Sequence, residues 1–459
     1  MNTEEHAAKS SGDSARSRYR RAWLDALLLG IALVELLALF PHTLNGDAAP
    51  RFAALSQLLS GHGVPTTKYS LIGPLFAAPL WLLGQLLASP EALVATFNWL
   101  IFALGLLALY LLLREVMDRR VLRAFLLLLA VASMFPAHTV SFYAEMFTAV
   151  AVAVGTTLAV VGTRISAATG WALAALGAAN IPASLLGLGA MSLLYTLRRR
   201  RVRYLAALLA GVALTLAESW LRRGAPFDSG YAGNGGFHTV MPYSGGPGFN
   251  YPIFFGLLAI LLSFGKGLIF FAPGLFLPAR RYFRAQKGGT SLYTLYLLWL
   301  ALVVGMLLVY AHWWAWYGGW FWGPRFFLFA SVPAALVLAA RLHARDAGLG
   351  ANLLTLAALI LSFWVGVNGV VFDQRALAAC TANNYALEFL CQYTPEFSVL
   401  WRPFVVYEPI SGGAIVYCVT SAAIFLYLAL PLLTRITRQV TDWFRRIAPV
   451  YLRREAWRV

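Results

Sequence analysis

Leu71-Ile72-Gly73-Pro74-Leu75-Phe76-Ala77-Ala78-Pro79-Leu80-Trp81-Leu82-Leu83-Gly84-Gln85-Leu86-Leu87 is the stretch on which the topology turns. It is apolar, and a membrane-spanning helix needs about 20 such residues. If it crossed, the next apolar run, Glu91–Leu113, would run outward and leave Arg114, Arg119, Arg120 and Arg123 on the outer side. That opposes the bias of Lys and Arg toward inner loops. Gly73, Pro74, Pro79 and Gly84 also interrupt a helix. The stretch is therefore expected to lie at the outer interface or to re-enter. A second run, Tyr251–Ser263, raises the same conflict and is settled the same way.

With both runs set aside, crossings fall near 22–40, 92–113, 122–138, 146–163, 165–179, 183–197, 203–221, 267–280, 291–311, 326–341, 351–371 and 413–434, twelve in all. A transmembrane domain at 22–434 then sits between a cytoplasmic head at 1–21, with Lys9, Arg16, Arg18, Arg20 and Arg21, and a basic cytoplasmic tail at 435–459. No small-residue cleavage site follows the first span, so it is expected to be a retained anchor. Of 36 Lys and Arg, eight remain outside: Arg51, Lys68, Arg222, Arg223, Lys266, Arg325, Arg375 and Arg402. The outer segments are 41–91, 222–266, 312–325 and 372–412, where most of the Gly, Pro and aromatic punctuation falls. Loops gathered on one side of a scaffold commonly carry function.

Composition agrees with a chain of this kind. Among 459 residues, 60% are hydrophobic and 12% charged, against about 25% charged in soluble domains. This excludes a large soluble enzyme, a disordered chain and a disulfide-rich secreted scaffold. The net charge of +17 reads as orientation and contact with anionic lipid. No basic stripe interleaved with aromatics points to nucleic acid.

Charges near membrane depth are functional candidates by default. Asp47 follows the first span in Asn45-Gly46-Asp47, with Arg51 four residues on. A carboxylate there can take a proton from an attacking hydroxyl, or it can be a turn or N-cap aspartate. Glu145 opens the fourth span and can equally complement a helix dipole. Glu35, inside the first span, reads as bundle glue or as an interior polar partner. Lys266, in Ser263-Phe264-Gly265-Lys266-Gly267, and Arg325, in Trp322-Gly323-Pro324-Arg325, stand at outer helix ends against the positive-inside bias. They point to a bound anion or to snorkelling toward headgroups.

Between those two lies a run with five Trp in ten residues, Trp313 to Trp322. His312, Trp313, Trp316, Tyr317 and Trp320 are its candidate sugar- and lipid-binding side chains. Aromatic faces suit sugar rings and isoprenoid chains, and Gly318-Gly319 permits close backbone approach. His312 can act as a base or phosphate donor, or simply be hydrogen-bonded. Cys380 and Cys391 share one outer loop, eleven apart. They are expected to pair in an oxidising compartment, the alternative being two free thiols. The three cysteines lack metal-ligand spacing.

These pieces, in this order, resemble the lipid-carrier-dependent membrane glycosyltransferases of the GT-C fold, which include protein mannosyltransferases and the lipid A aminoarabinose transferase. The resemblance rests on Asp47 with Arg51, on Tyr69-Ser70-Leu71-Ile72-Gly73-Pro74-Leu75, on Glu145, on Ser263–Leu268 with Ala272-Pro273, and on the run ending at Arg325. It implies an all-α polytopic membrane protein of about twelve transmembrane helices with interfacial helices at the outer face. It implies an inverting transfer of a sugar from a polyprenyl-phosphate donor to an acceptor hydroxyl or an amine-bearing glycan, lipid or protein. Asp47 would be the general base and Glu145 the second acid. Arg51, Lys68, Lys266 and Arg325 would neutralise the phosphate. No cofactor is implied, a divalent metal stays open, and the setting would be a bacterial inner membrane with the site on the periplasmic side. Two rival expectations are a lipid-linked sugar flippase or transporter and an oligosaccharide ligase using a lipid diphosphate.

Overall fold

The structure, a computed structural model, describes residues 22–87, 89–231, 238–284, 288–344, 346–372 and 377–455. The expected head at 1–21, and Arg375 of the outer set, lie outside the described residues. The chain is an all-α polytopic bundle. Among the described residues, six helices are long and apolar enough to cross a membrane: Ala144–Val161, Val202–Arg223, Ser291–Tyr310, Arg325–Leu342, Leu349–Val371 and Gly412–Arg445. The other expected crossings are shorter, such as the 17-residue Phe97–Leu113 and the 16-residue Arg164–Ala179 and Ser184–Arg199.

Burial orders the bundle from centre to rim. The apolar window of Arg325–Leu342 is 94% buried inside the protein, whereas that of Val202–Arg223 is 17% buried and faces outward. The Ala144–Val161 and Arg164–Ala179 helices touch almost backbone to backbone. A Cβ on Gly155 would lie 2.6 Å from the Gly170 carbonyl oxygen, and one on Gly170 would lie 2.5 Å from the Ala159 nitrogen. Small residues at such a crossing allow the close packing on which membrane helices depend.

Two apolar stretches are not long helices. Residues 71–87 break into Ile72–Leu75 and the ten-residue Ala78–Leu87. At 1.5 Å per residue the latter spans about 15 Å, half a bilayer core. Ile253–Leu262 is likewise ten residues long. The expected crossing at 267–280 departs from a regular helix. Leu268–Phe271 is one turn, Ala272 leaves helical geometry, and Pro273–Phe276 is a 3-10 turn. Pro273 and Pro278 cannot donate to a helix ladder. A Cβ on Gly274 would lie 2.3 Å from the Ala334 carbonyl oxygen. Irregular backbone survives at membrane depth only when protein covers it, and here Pro273, Gly274 and Leu277 are buried.

Candidate active site

The 41–71, 222–231, 238–266, 312–325 and 377–412 segments meet at one end of the bundle. Thr43 forms a parallel bridge with Ser141, and its amide donates to the Val140 carbonyl at 3.0 Å. The Tyr143 hydroxyl reaches the Asn45 carbonyl oxygen at 3.4 Å. These ties bring the chain after the first helix beside the start of the Ala144–Val161 helix. Buried Asn98 donates to the carbonyls of His138, Ser141 and Tyr143 and fixes the other side of that turn. Gly46 makes the approach possible: its φ is +59°, and the Phe321 ring lies 3.1 Å from where a Cβ would stand.

Asp47 occupies the N-cap position of Ala48–Leu59, yet its side chain caps nothing. It turns to tertiary partners instead. Oδ1 accepts from the Tyr69 hydroxyl at 2.8 Å, and Oδ2 accepts from Arg325 Nη1 at 2.7 Å. Arg325 also faces Glu145, with Nε 3.7 Å from Oε1. Its guanidinium lies over the Phe321 ring, 3.8 Å from the centroid. Arg51, buried and one turn beyond Asp47, stacks over the Tyr69 ring at 4.6 Å. Among the described residues its Nε and Nη1 donate no hydrogen bond, and Glu145 Oε2 accepts none. A half-buried aspartate, a buried glutamate, two buried guanidiniums and a phenol thus converge, with hydrogen-bonding capacity to spare.

Burial pushes the Asp47 carboxyl up, but the charge and bond of Arg325, the bond of Tyr69 and the charge of Arg51 outweigh it. The group is held below the usual carboxylate range. Burial, followed by the charge and bond of Asp47, pushes the Tyr69 hydroxyl up, so it stays a proton donor. Lys68 sits exposed at the edge, with its ammonium 5.4 Å from the Tyr69 ring and 5.2 Å from that of Tyr231.

Lys266 has a different place from the anion-binding one expected. It is 2% exposed. Its ammonium donates to the carbonyl oxygens of Gly319 at 3.3 Å, Gly323 at 2.8 Å and Phe321. An ammonium has three donors, and all three are committed to this loop. Lys266 shapes the turn that presents Phe321 and Arg325. Burial, then the charge of Arg325, pushes its pKa well down, with Glu388 opposing.

The tryptophan run is also mostly packing. Trp316 and Tyr317 are 2% and 1% exposed and meet edge to face. Rings so enclosed offer no open face to a sugar in this conformation. Trp313 lies against Phe249 at 4.9 Å, and His312 Nδ1 is paired with the Tyr251 carbonyl oxygen at 2.7 Å. Trp320 stacks on Tyr385 at 4.5 Å and donates to Glu388 Oε1 at 2.8 Å. Glu388, buried, is raised by that burial against bonds from Thr239, Tyr317 and Trp320 and the charge of Lys266. It belongs to the segment in which Cys380 and Cys391 are bonded. That segment is tied to the Lys266 turn by Gly265 N to the Gln392 carbonyl at 3.0 Å and by Ser398 Oγ to the Phe264 carbonyl at 2.6 Å.

Sequence reasoning brought Asp47, Arg51, Glu145 and Arg325 forward, and the structure places them together. It gave no role to Tyr69, Glu388 or Glu218, and marked Arg222 only as an outer charge. Arg325 and Asp47 are 278 residues apart, so only the charge of each marked it. Glu35 accepts from Thr420 at 2.6 Å and joins the first helix to the last.

No protein family matches the chain, and no curated protein does. Two solved structures are similar to the chain, both of ArnT from Cupriavidus metallidurans. The apo structure is 15% identical, with a TM-score of 0.50 over 94% of this chain and 80% of that one. The structure bound to undecaprenyl phosphate is 16% identical, with a TM-score of 0.49 over 93% and 80%. The chain has the GT-C membrane fold seen in apo ArnT.

Proposed function

We propose that the protein is a GT-C glycosyltransferase that moves a sugar from a polyprenyl-phosphate donor to an acceptor hydroxyl or amine on a glycan, lipid or protein. The setting we propose is the periplasmic face of a bacterial inner membrane. The observation carrying this reading is the Asp47–Arg325–Glu145 cluster, in which an aspartate at a helix N-cap forgoes capping to face an arginine and a tyrosine. The fold shared with apo ArnT supports the class.

In this reading the acceptor donates its hydroxyl hydrogen to Asp47, whose two bonded oxygens each keep a further lone pair. The acceptor oxygen attacks the anomeric carbon, the bond from that carbon to the phosphate oxygen breaks, and Asp47 keeps the proton. Negative charge develops on the departing phosphate. Arg51, whose buried guanidinium has unused donors, and Arg325 stabilise it in a site poor in water. A phosphate that draws Arg325 toward itself weakens the hold on Asp47 and raises its basicity when a base is required. Glu145 orients the acceptor or sugar, and Lys266 holds the loop. Attack opposite the leaving group inverts the anomeric centre.

The test is incubation of purified protein with labelled synthetic polyprenyl-phosphate sugars and acceptor extracts. Release of polyprenyl phosphate with an inverted glycoside is expected. Retention at the anomeric carbon would overturn the single-displacement mechanism. Movement of intact donor across liposomes without its consumption would replace the enzyme with a flippase.

A further inference from the structure

Arg222 ends the exposed Ala206–Arg223 helix, yet it is itself 6% exposed. Its guanidinium is spent on one short piece of backbone. Nε donates to the Pro65 carbonyl at 2.9 Å, Nη1 to the Tyr69 carbonyl at 2.6 Å, and Nη2 to the Thr67 carbonyl at 2.8 Å and hydroxyl at 3.1 Å. Glu218, one turn earlier, pairs with Arg222 and accepts from the Leu71 amide at 3.1 Å. Arg223 adds a bond to the Thr67 carbonyl at 3.3 Å and lies 3.6 Å from Glu218. Residues 65–70 have no helix or sheet ladder of their own. Buried carbonyls need partners, and here side chains from a distant helix supply them. The strap so held ends in Tyr69, whose hydroxyl is on Asp47.

We infer that Arg222 and Glu218 are positioning residues, which hold the 65–71 strap in the one register that keeps the Tyr69 hydroxyl on Asp47. This rests on the reading of Asp47 as the base, but the arrangement is testable without turnover. Charged and titratable groups facing Asp47 are Arg325, Arg51, Tyr69, Tyr143 and Tyr231, with Glu145 behind Arg325. Arg222 acts on Asp47 through Tyr69.

The experiment measures, by mass spectrometry of the intact protein in detergent, the pH dependence of carbodiimide labelling at Asp47. Wild type, Y69F, R222Q and the double variant are compared, with hydrogen exchange of the 65–71 amides alongside. Loss of a hydrogen bond to an ionised group raises a carboxyl by about one pH unit. Y69F and R222Q are each expected to move the labelling midpoint upward by that amount, and the double variant no further. R222Q alone is expected to speed strap exchange about tenfold or more, whereas Y69F leaves it slow. An unmoved Asp47 midpoint in a folded R222Q protein would overturn the inference, as would additive shifts in the double variant. E218Q, which keeps a carbonyl acceptor for Leu71, gives a milder form of the same pattern and covers the case in which R222Q does not fold. Absence of sugar transfer by wild type would remove the proposed enzyme, while the labelling midpoints would still decide the strap.

Discussion

A carboxylate at a helix N-cap normally satisfies the free amides of the first turn. Asp47 leaves them, so its stabilisation must come from Tyr69 and Arg325. Its lowered pKa fixes a sign: Asp47 stays ionised at neutral pH, and its contribution to stability is lost as pH falls through that lowered value. The acid limb of kcat/KM is expected below the ordinary aspartate range, and Y69F should move it upward. A limb that stays put in Y69F would separate Tyr69 from the base. Lys266 gives a contrasting prediction. K266M strands the buried Gly323 carbonyl and the half-buried carbonyls of Gly319 and Phe321, at up to about 1–3 kcal/mol for each acceptor left unsatisfied. It should lower Tm markedly in detergent; unchanged Tm with weakened donor binding would return Lys266 to the phosphate. Asp47, Glu145 and Arg325 were legible because charge is scarce in this chain. The carbonyl partners of Lys266 were not legible, because a cation at a helix end looks the same in sequence whether it faces an anion or a ring of carbonyls. Only the turn at Gly319–Gly323 distinguishes them.

At the scale of elements, proline and glycine carried most of what could be read. They marked 71–87 as unable to form one long helix, and the structure divides it. The same residue types at Pro273, Gly274 and Pro278 were not read as a break in the crossing expected at 267–280, and that segment is broken too. The enclosure of Trp316 and Tyr317 could not be read from their own stretch, because their cover comes from Glu388 and Tyr393, about 70 residues later. The bonded Cys380–Cys391 segment holds Glu388 against Trp320. A closed loop of this size contributes roughly 3 kcal/mol in the chain-entropy account. C380S/C391S is therefore expected to lower Tm and to loosen the Trp320 contact, seen as a red shift of tryptophan emission. Reduction of the wild type should reproduce both changes. A variant with unchanged Tm and emission would show that the Gly265 and Ser398 ties suffice.

For the whole molecule, the membrane class followed from composition and the site end from where loops gather, while the number of crossings depends on helices too short to identify by length. Positive-inside bias predicts that Lys68 and Arg200 face opposite sides. Single cysteines at these positions, on a background with Cys380, Cys391 and Cys418 replaced, should label from opposite faces of sealed vesicles. Labelling of both from one side would overturn the orientation. The central claim is that this end of the bundle transfers a sugar with Asp47 as base, and it is tested most directly by single turnover of a bound, labelled polyprenyl-phosphate sugar in wild type and D47N. The account predicts equal donor binding and a transfer rate lower by about 10²- to 10⁴-fold in D47N, the span general-base catalysis supplies. Equal transfer rates at equal donor occupancy would contradict it.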